Sequence, residues 1–164
     1  MKILLAVDGS ECSNAAVEQV ASRPWPAGSQ IRVVNSFELP LTSSPEGWVL
    51  PALYFTELDN AVRANSETIV MAAVATLKSK VPKDTAIDSK SVPGAPRSVI
   101  LDEAKAFNAD LIVVGSHGYR AWERFLLGSV SQSVVSHAQC SVEVVRCKKA
   151  VVAYQPKPLK SKVG

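Results

Sequence analysis

Apolar positions along the chain switch period at regular intervals. Ile3-Leu4-Leu5-Ala6-Val7 is a short continuous apolar run, as expected of a strand covered on both faces. Asp8-Gly9-Ser10-Glu11 follows as a turn with capping residues. Ala16, Val17, Val20 and Ala21 then recur at helical spacing until Pro24 and Pro26 end the helix. Residues 31–37 predict a second strand, and residues 38–55 read as irregular, punctuated by Pro40, Pro45, Gly47 and Pro51. Leu58, Val62, Ile69, Ala73 and Leu77 stripe a long helix from about Glu57 to Lys80, closed by Pro82. Residues 86–92 predict a third strand, and Pro96 suits the first turn of the helix that follows, with Ile100, Ala104 and Phe107 on its apolar side. Asp110-Leu111-Ile112-Val113-Val114 is the clearest buried strand. A glycine-bearing loop, a helix over about 129–138 and a strand from Val142 to Arg146 complete the order βαβαβαβαβ.

Strands separated by helical segments call for right-handed crossovers. The fold class is therefore α/β, a parallel sheet of five strands between two helical layers. Ligands of such sheets bind beyond the carboxyl ends of the strands, where strand order reverses, which points to the loops after strands one and four.

At 164 residues, 47% hydrophobic and 20% charged, the chain predicts one domain with a sizeable core, which excludes wholesale disorder. No apolar run reaches membrane-spanning length, and the opening run stops at Asp8, too short for a secretory signal. Cys12, Cys140 and Cys147 form no C-x-x-C pair, which points to a reducing, cytoplasmic setting in which Cys12 and Cys140 act as small buried hydrophobes. The formal charge of +3 comes from Lys148, Lys149, Lys157, Lys160 and Lys162; without those five, residues 1–147 stand at −2. Residues 148–164 thus read as a solvated basic tail behind a 1–147 domain, with no case for specific nucleic-acid binding.

The chemistry concentrates after the fourth strand: Gly115-Ser116-His117-Gly118, then nine residues, then Gly128-Ser129 opening a helix. Glycines admit positive φ and let backbone N–H groups approach an anion. A helix N-terminus supplies unpaired N–H groups and a partial positive charge. Ser129 and Ser131 add hydroxyl donors, and Asp8, at the same sheet edge, can accept from a ribose hydroxyl or an adenine amine. These parts describe a nucleotide cradle without a P-loop. The structural alternative is a turn followed by the capping box Ser129-x-x-Gln132.

These residues resemble the universal stress protein family, whose signature is G-x-x-G-x9-G-[ST]. The likeness runs from Ile3-Leu4-Leu5-Ala6-Val7-Asp8-Gly9-Ser10 through Ala109–Gly118 and Leu126–Ser131 to Cys140. It implies a Rossmann-like (adenine-nucleotide-alpha-hydrolase-like) sheet in the order 3-2-1-4-5, a homodimer through the last strand (Val142 to Arg146), and bound ATP, with or without Mg²⁺. It also implies that Ala6, Val7 and Asp8 lie near adenine and ribose, and that Gly115, Gly118, Gly128, Ser129, Val130 and Ser131 surround the ribose and phosphates. Ser36 or a neighbour falls at the adenine position, where the family usually carries an apolar residue. Glu143 interrupts a last strand that is usually wholly apolar, and residues 38–55 lie outside the likeness. Their Leu39, Trp48, Leu50, Leu53, Tyr54 and Phe55 suit either a packed flap or partner contact, or burial against the long helix.

Phosphoryl transfer needs a positioned nucleophile and usually a metal clamp. The two histidines, His117 and His137, form no ligand pair. His117 sits inside the loop and offers a phosphate contact, His137 suits the end of its helix, and Asp8 and Asp110 suit nucleotide or turn contacts. The expectation is a nucleotide-dependent stress-response binder with slow or no ATP hydrolysis. A nucleotide-free interaction module and a nucleotidyl-transfer or ATP-hydrolysing enzyme of related fold are the alternatives.

Overall fold

The computed structural model of the protein describes residues 1–38, 52–118 and 127–147, and only the backbone of 52–55. Five strands, β1 (Lys2–Ala6), β2 (Gln30–Phe37), β3 (Ala86–Pro93), β4 (Leu111–Gly115) and β5 (Ser141–Val145), form one sheet in the order β3-β2-β1-β4-β5. All four pairings are parallel. The helices are α1 (Glu11–Ala21), α2 (Ala52–Lys80), α3 (Pro96–Phe107) and α4 (Ser129–His137). The order is the one the family resemblance implies.

Two apolar layers explain why the inner strands carry unbroken hydrophobic runs. Ile3, Leu5, Ile31, Val33 and Val113 pack with α1 and α2 through Val17, Val20, Ala73 and Leu77. Leu4, Val34, Ile112 and Val114 pack on the other face with Val99, Ile100, Ala104 and Val134 of α3 and α4. Ile3, Leu4, Leu5 and Ile112 are wholly buried, each stabilising the fold by roughly 1.5–3 kcal/mol relative to exposure. β1 and β4 lie side by side at the centre, with Leu5 opposite Val113. The chain runs outward from β1 to β3 and returns on the other side at β4, so the reversal of strand order falls between β1 and β4.

Boundaries read from periodicity hold to within a residue or two for the strands, but α2 starts earlier than the stripe indicates. Residues 52–55, expected to be irregular, already belong to the helix, because the apolar Leu53-Tyr54-Phe55 run continues a pattern that Pro51 only precedes. Residues 39–51 of the apolar 38–55 segment and the basic tail lie outside the described residues.

Two further expectations change. Cys12 is not a free buried thiol: it is disulfide-bonded to Cys147, with Cα atoms 4.5 Å apart and 135 residues between them in sequence. Sequence spacing carries no trace of this pair, because the fold alone brings the first turn of α1 to the end of β5; a reducing setting therefore does not follow from the cysteine pattern. Cys140 is free. Glu143, in turn, is not a bare charge on an edge strand. Arg23 grips it with two bonds of 2.7 and 2.8 Å, and that hydrogen-bonded pairing raises the Arg23 pKa above its ordinary value.

Arg23→Ala should leave the half-buried Glu143 carboxylate unpaired and lower stability by about 1 kcal/mol, less than for a fully buried pair. A thermal melt followed by circular dichroism should fall by roughly 2–4 °C; an unchanged melt would show the pair to be energetically idle. Burial raises the Cys140 pKa, with the Asp110 charge adding to it. Its thiolate is thus scarcer at a given pH than that of a free thiol, and alkylation by iodoacetamide at pH 8 should run slower than for a cysteine peptide.

Candidate functional site

The site forms where β1 and β4 end. Continuing the β1–β4 register past Leu5 and Val113 sets the loop beginning at Asp8 beside the loop beginning at Ser116. Gly9 turns the first loop with φ +80°, a left-handed conformation that glycine adopts without strain. The Asp8 N–H donates to Ser13 Oγ at 3.0 Å, and Asp8 Oδ1 accepts from the Ser10 N–H at 2.9 Å. Ser10 caps α1 by accepting from the Ser13 N–H, and its hydroxyl donates to the His117 carbonyl at 3.2 Å. One buried serine thus ends the first loop, starts α1 and ties both to the second loop.

Gly115 and Gly118 serve close approach rather than positive φ, contrary to the conformational role expected of them; among the described residues positive-φ glycines are Gly9, Gly28 and Gly94. A Cβ on Gly115 would lie 2.8 Å from backbone atoms of Cys12 and Ser13, inside any real contact. The end of β4 therefore rests on the bare backbone of α1. A Cβ on Gly118 would meet Asp8 Oδ2 at 2.5 Å, which places the second loop directly over the Asp8 carboxylate. Gly118 itself is exposed and Asp8 half-buried.

Ser116, 2% exposed, joins this edge to α4. Its N–H donates to the Val145 carbonyl at 2.7 Å, and its carbonyl accepts the Gly128 N–H at 2.8 Å. The Ser131 hydroxyl also donates to the Ser116 carbonyl, at 3.0 Å. Ser131 is thus turned inward as a tether. Its hydroxyl and the Gly128 N–H are spent on holding the helix start in place, so neither faces a ligand as expected.

The capping-box alternative does not survive. The N-cap of α4 is Gly128, with φ −71° and ψ 159°, and no side chain caps the helix. Ser129 is already the first helical residue. Among the described residues, the N–H groups of Ser129, Val130 and Ser131 have no protein acceptor, whereas the corresponding end of α1 is capped by Ser10. A helix start left open in this way carries three donors and the positive end of the helix dipole.

The remaining expected residues sort by position. Ala6 and Val7 are buried at the end of β1, and Ser36 is half-buried near the end of β2. Asn35 turns inward: its amide donates to the Val7 carbonyl at 2.6 Å and accepts from the Ser66 hydroxyl, which also meets Ser91. His117 Nδ1 lies 3.1 Å from Ser116 Oγ. Asp110 sits at the opposite end of the sheet, where it accepts from the Lys2 N–H at 2.7 Å, and takes no part in the site. His137 closes α4, Nδ1 bonded to the Ser133 carbonyl at 2.8 Å, as the end-of-helix reading expects. Ser10 caps α1 as the reading of Asp8-Gly9-Ser10-Glu11 expects, whereas Ser13, Ser66 and Ser116 went unrecognised as architecture; serines near turns are too common for spacing alone to mark them.

A family model described as the universal stress protein family matches residues 1–146. A protein of Staphylococcus aureus strain USA300 named as a universal stress protein is 31% identical over 155 residues, 94% of this chain and 89% of that protein. Among solved structures, the protein MJ0577 superposes with a TM-score of 0.76 at 23% identity, over 91% of this chain and 97% of its own. A universal stress protein family member from Arabidopsis thaliana, solved with AMP bound, superposes with a TM-score of 0.62 at 19% identity, over 91% and 93%.

The two loop glycines should respond differently to one added methyl. Gly115→Ala forces β4 away from the α1 backbone and should cost about 1–3 kcal/mol, as overpacking does. Gly118→Ala meets only the movable end of Asp8 and should stay within about 0.5 kcal/mol of the parent. Urea denaturation measures both; equal effects would contradict the close approach at Gly115.

Proposed function

Because the chain belongs to the universal stress protein family, we propose that it binds an adenine nucleotide, ATP foremost, in the crevice between the ends of β1 and β4, and acts as a nucleotide-dependent stress-response regulator. The observation that carries this reading is the uncapped start of α4, held at the end of β4 by Ser116. Three N–H groups without an acceptor among the described residues, at the positive end of a helix, suit phosphate oxygens. Structural relatives described with AMP, cAMP and dAMP bound add support for the ligand class.

The roles follow from what each group offers. The N–H groups of Ser129, Val130 and Ser131, with the Ser129 hydroxyl, receive phosphate. Asp8 Oδ2, beneath Gly118, accepts from a ribose hydroxyl, and Gly118 admits the sugar by having no side chain. Ala6, Val7 and Ser36 border the base. Asn35 is turned away to bond Val7 and Ser66. Mg²⁺, where it accompanies ATP, would share the phosphate charge with these amides.

Hydrolysis is slow or absent on this reading. A general base must hold a water in line with the phosphorus, but one Asp8 oxygen already accepts from Ser10 and His117 Nδ1 is engaged with Ser116 Oγ. The chain also pairs as a homodimer through β5. Glu143 faces α1 and Arg23, so the strand's outer backbone is not guarded by that charge.

Heat-released extract of the purified protein should contain adenine nucleotide by chromatography and mass spectrometry. ATP at a hundred times its Kd should stabilise the apo protein by about 2.7 kcal/mol. Gly118→Val should abolish that gain by displacing Asp8 while leaving the apo melt in place. No retained nucleotide together with no ATP-dependent stabilisation would overturn the reading. Sedimentation should give twice the 17.5 kDa chain mass; a monomer would remove the β5 pairing alone.

A further inference from the structure

The Cys12–Cys147 disulfide encloses the residue on which the phosphate-binding end of α4 depends. Cys12 lies in the first turn of α1, at the backbone that Gly115 touches. Cys147 follows β5 by two residues. Between them, the Ser116 N–H is bonded to the Val145 carbonyl at 2.7 Å, and the Ser116 hydroxyl points to Cys12 Sγ at 3.6 Å. The disulfide thus closes a ring, from Cys12 through Cys147 and Val145, with Ser116 inside it. The carbonyl of that same Ser116 holds Gly128 and Ser131 at the start of α4.

We propose that this pair is a reversible oxidative modification site that sets nucleotide affinity: the disulfide fixes Ser116 and thereby the open N–H groups of α4, and its reduction loosens them. The coupling rests on the nucleotide reading above; the latch itself rests on the pairing of Cys12 with Cys147 and the contacts of Ser116 with both ends. Cys12 is 4% exposed, whereas Cys147 is half-buried, so a small thiol reaches the Cys147 sulfur first. A thiolate RS⁻ attacks that sulfur, forming Cys147–S–SR and releasing the Cys12 thiolate. A second RS⁻ attacks the mixed disulfide and leaves the Cys147 thiolate and RSSR; both protein thiolates then take a proton according to pH. Two electrons pass from two thiols to the pair. Oxidation is the reverse, with a low-molecular-weight disulfide such as glutathione disulfide as oxidant.

Because coupling is reciprocal, nucleotide should shift the thiol–disulfide equilibrium by the same factor by which the disulfide shifts nucleotide affinity. Calorimetric titration of the full chain with Mg-ATP, after equilibration with glutathione disulfide or with excess dithiothreitol, measures the first. Alkylation and mass spectrometry verify the state: one label, on Cys140, when oxidised and three when reduced. The oxidised protein should bind at least about fivefold more tightly. Cys147→Ser should bind like the reduced protein under both conditions.

Equal affinity in the two verified states overturns the coupling and leaves the nucleotide site standing. Three labels after glutathione disulfide treatment overturn the latch outright. If neither state binds nucleotide, the functional reading fails by itself. Hydrogen exchange at the bonded N–H groups of Ser116 and Gly128 then decides the latch: slower exchange when oxidised supports it, and identical exchange overturns it.

Discussion

The contact on which the rest of the molecule depends is the approach of Gly115 to the backbone of Cys12 and Ser13. It is a steric constraint, and it sets how near the end of β4 can lie to the start of α1. That distance lets Ser10 reach the His117 carbonyl, brings the Asp8 carboxylate beneath Gly118, and places Ser116 where it can bond both Val145 and Gly128. Packing of the apolar faces sets the sheet between its helical layers to a precision of a side chain. The glycine contact sets the edge to a fraction of an ångström, which is the scale on which hydrogen bonds form or fail.

The same edge shows a division between satisfied and unsatisfied helix ends. α1 is closed by a buried serine, whereas α4 starts on a glycine that caps nothing. Relative to glycine, a serine or aspartate at that position would add about a few tenths of a kcal/mol by capping. The molecule forgoes that stabilisation where the strand order reverses, and among the described residues three donors stay open. Functional sites are where such local inconsistencies gather, and this is the physical basis for reading the edge as a phosphate site rather than as a turn.

The fold was legible because its signals are periodic and local. The runs at Ile3–Val7 and Leu111–Val114 can be covered on both faces only in a parallel sheet, and Pro24, Pro82 and Pro96 mark helix ends that chain geometry enforces. Strand order was not in the periodicity; it came from the resemblance carried by Gly115, Gly118 and Gly128. At the site, the glycines were found for the right reason in part: their value lies in the missing Cβ, not in the sign of φ. Ser129 was open to two readings because a capping box and a phosphate loop share a pattern. Only the backbone at Gly128, extended rather than helical, separates them. The disulfide was beyond reach, since a pair 135 residues apart leaves no local mark, and of the two contacts open to Asp110, nucleotide or turn, its place just before β4 leaves only the second.

The central claim is that the open N–H groups at the start of α4 receive phosphate. Amide chemical shifts of ¹⁵N-labelled protein during titration with ATP test it residue by residue. Ser129, Val130 and Ser131 should move together and saturate at one Kd, with adenosine alone moving them far less. A titration that perturbs Asp8 and its neighbours yet leaves those three amides where they stood would contradict it.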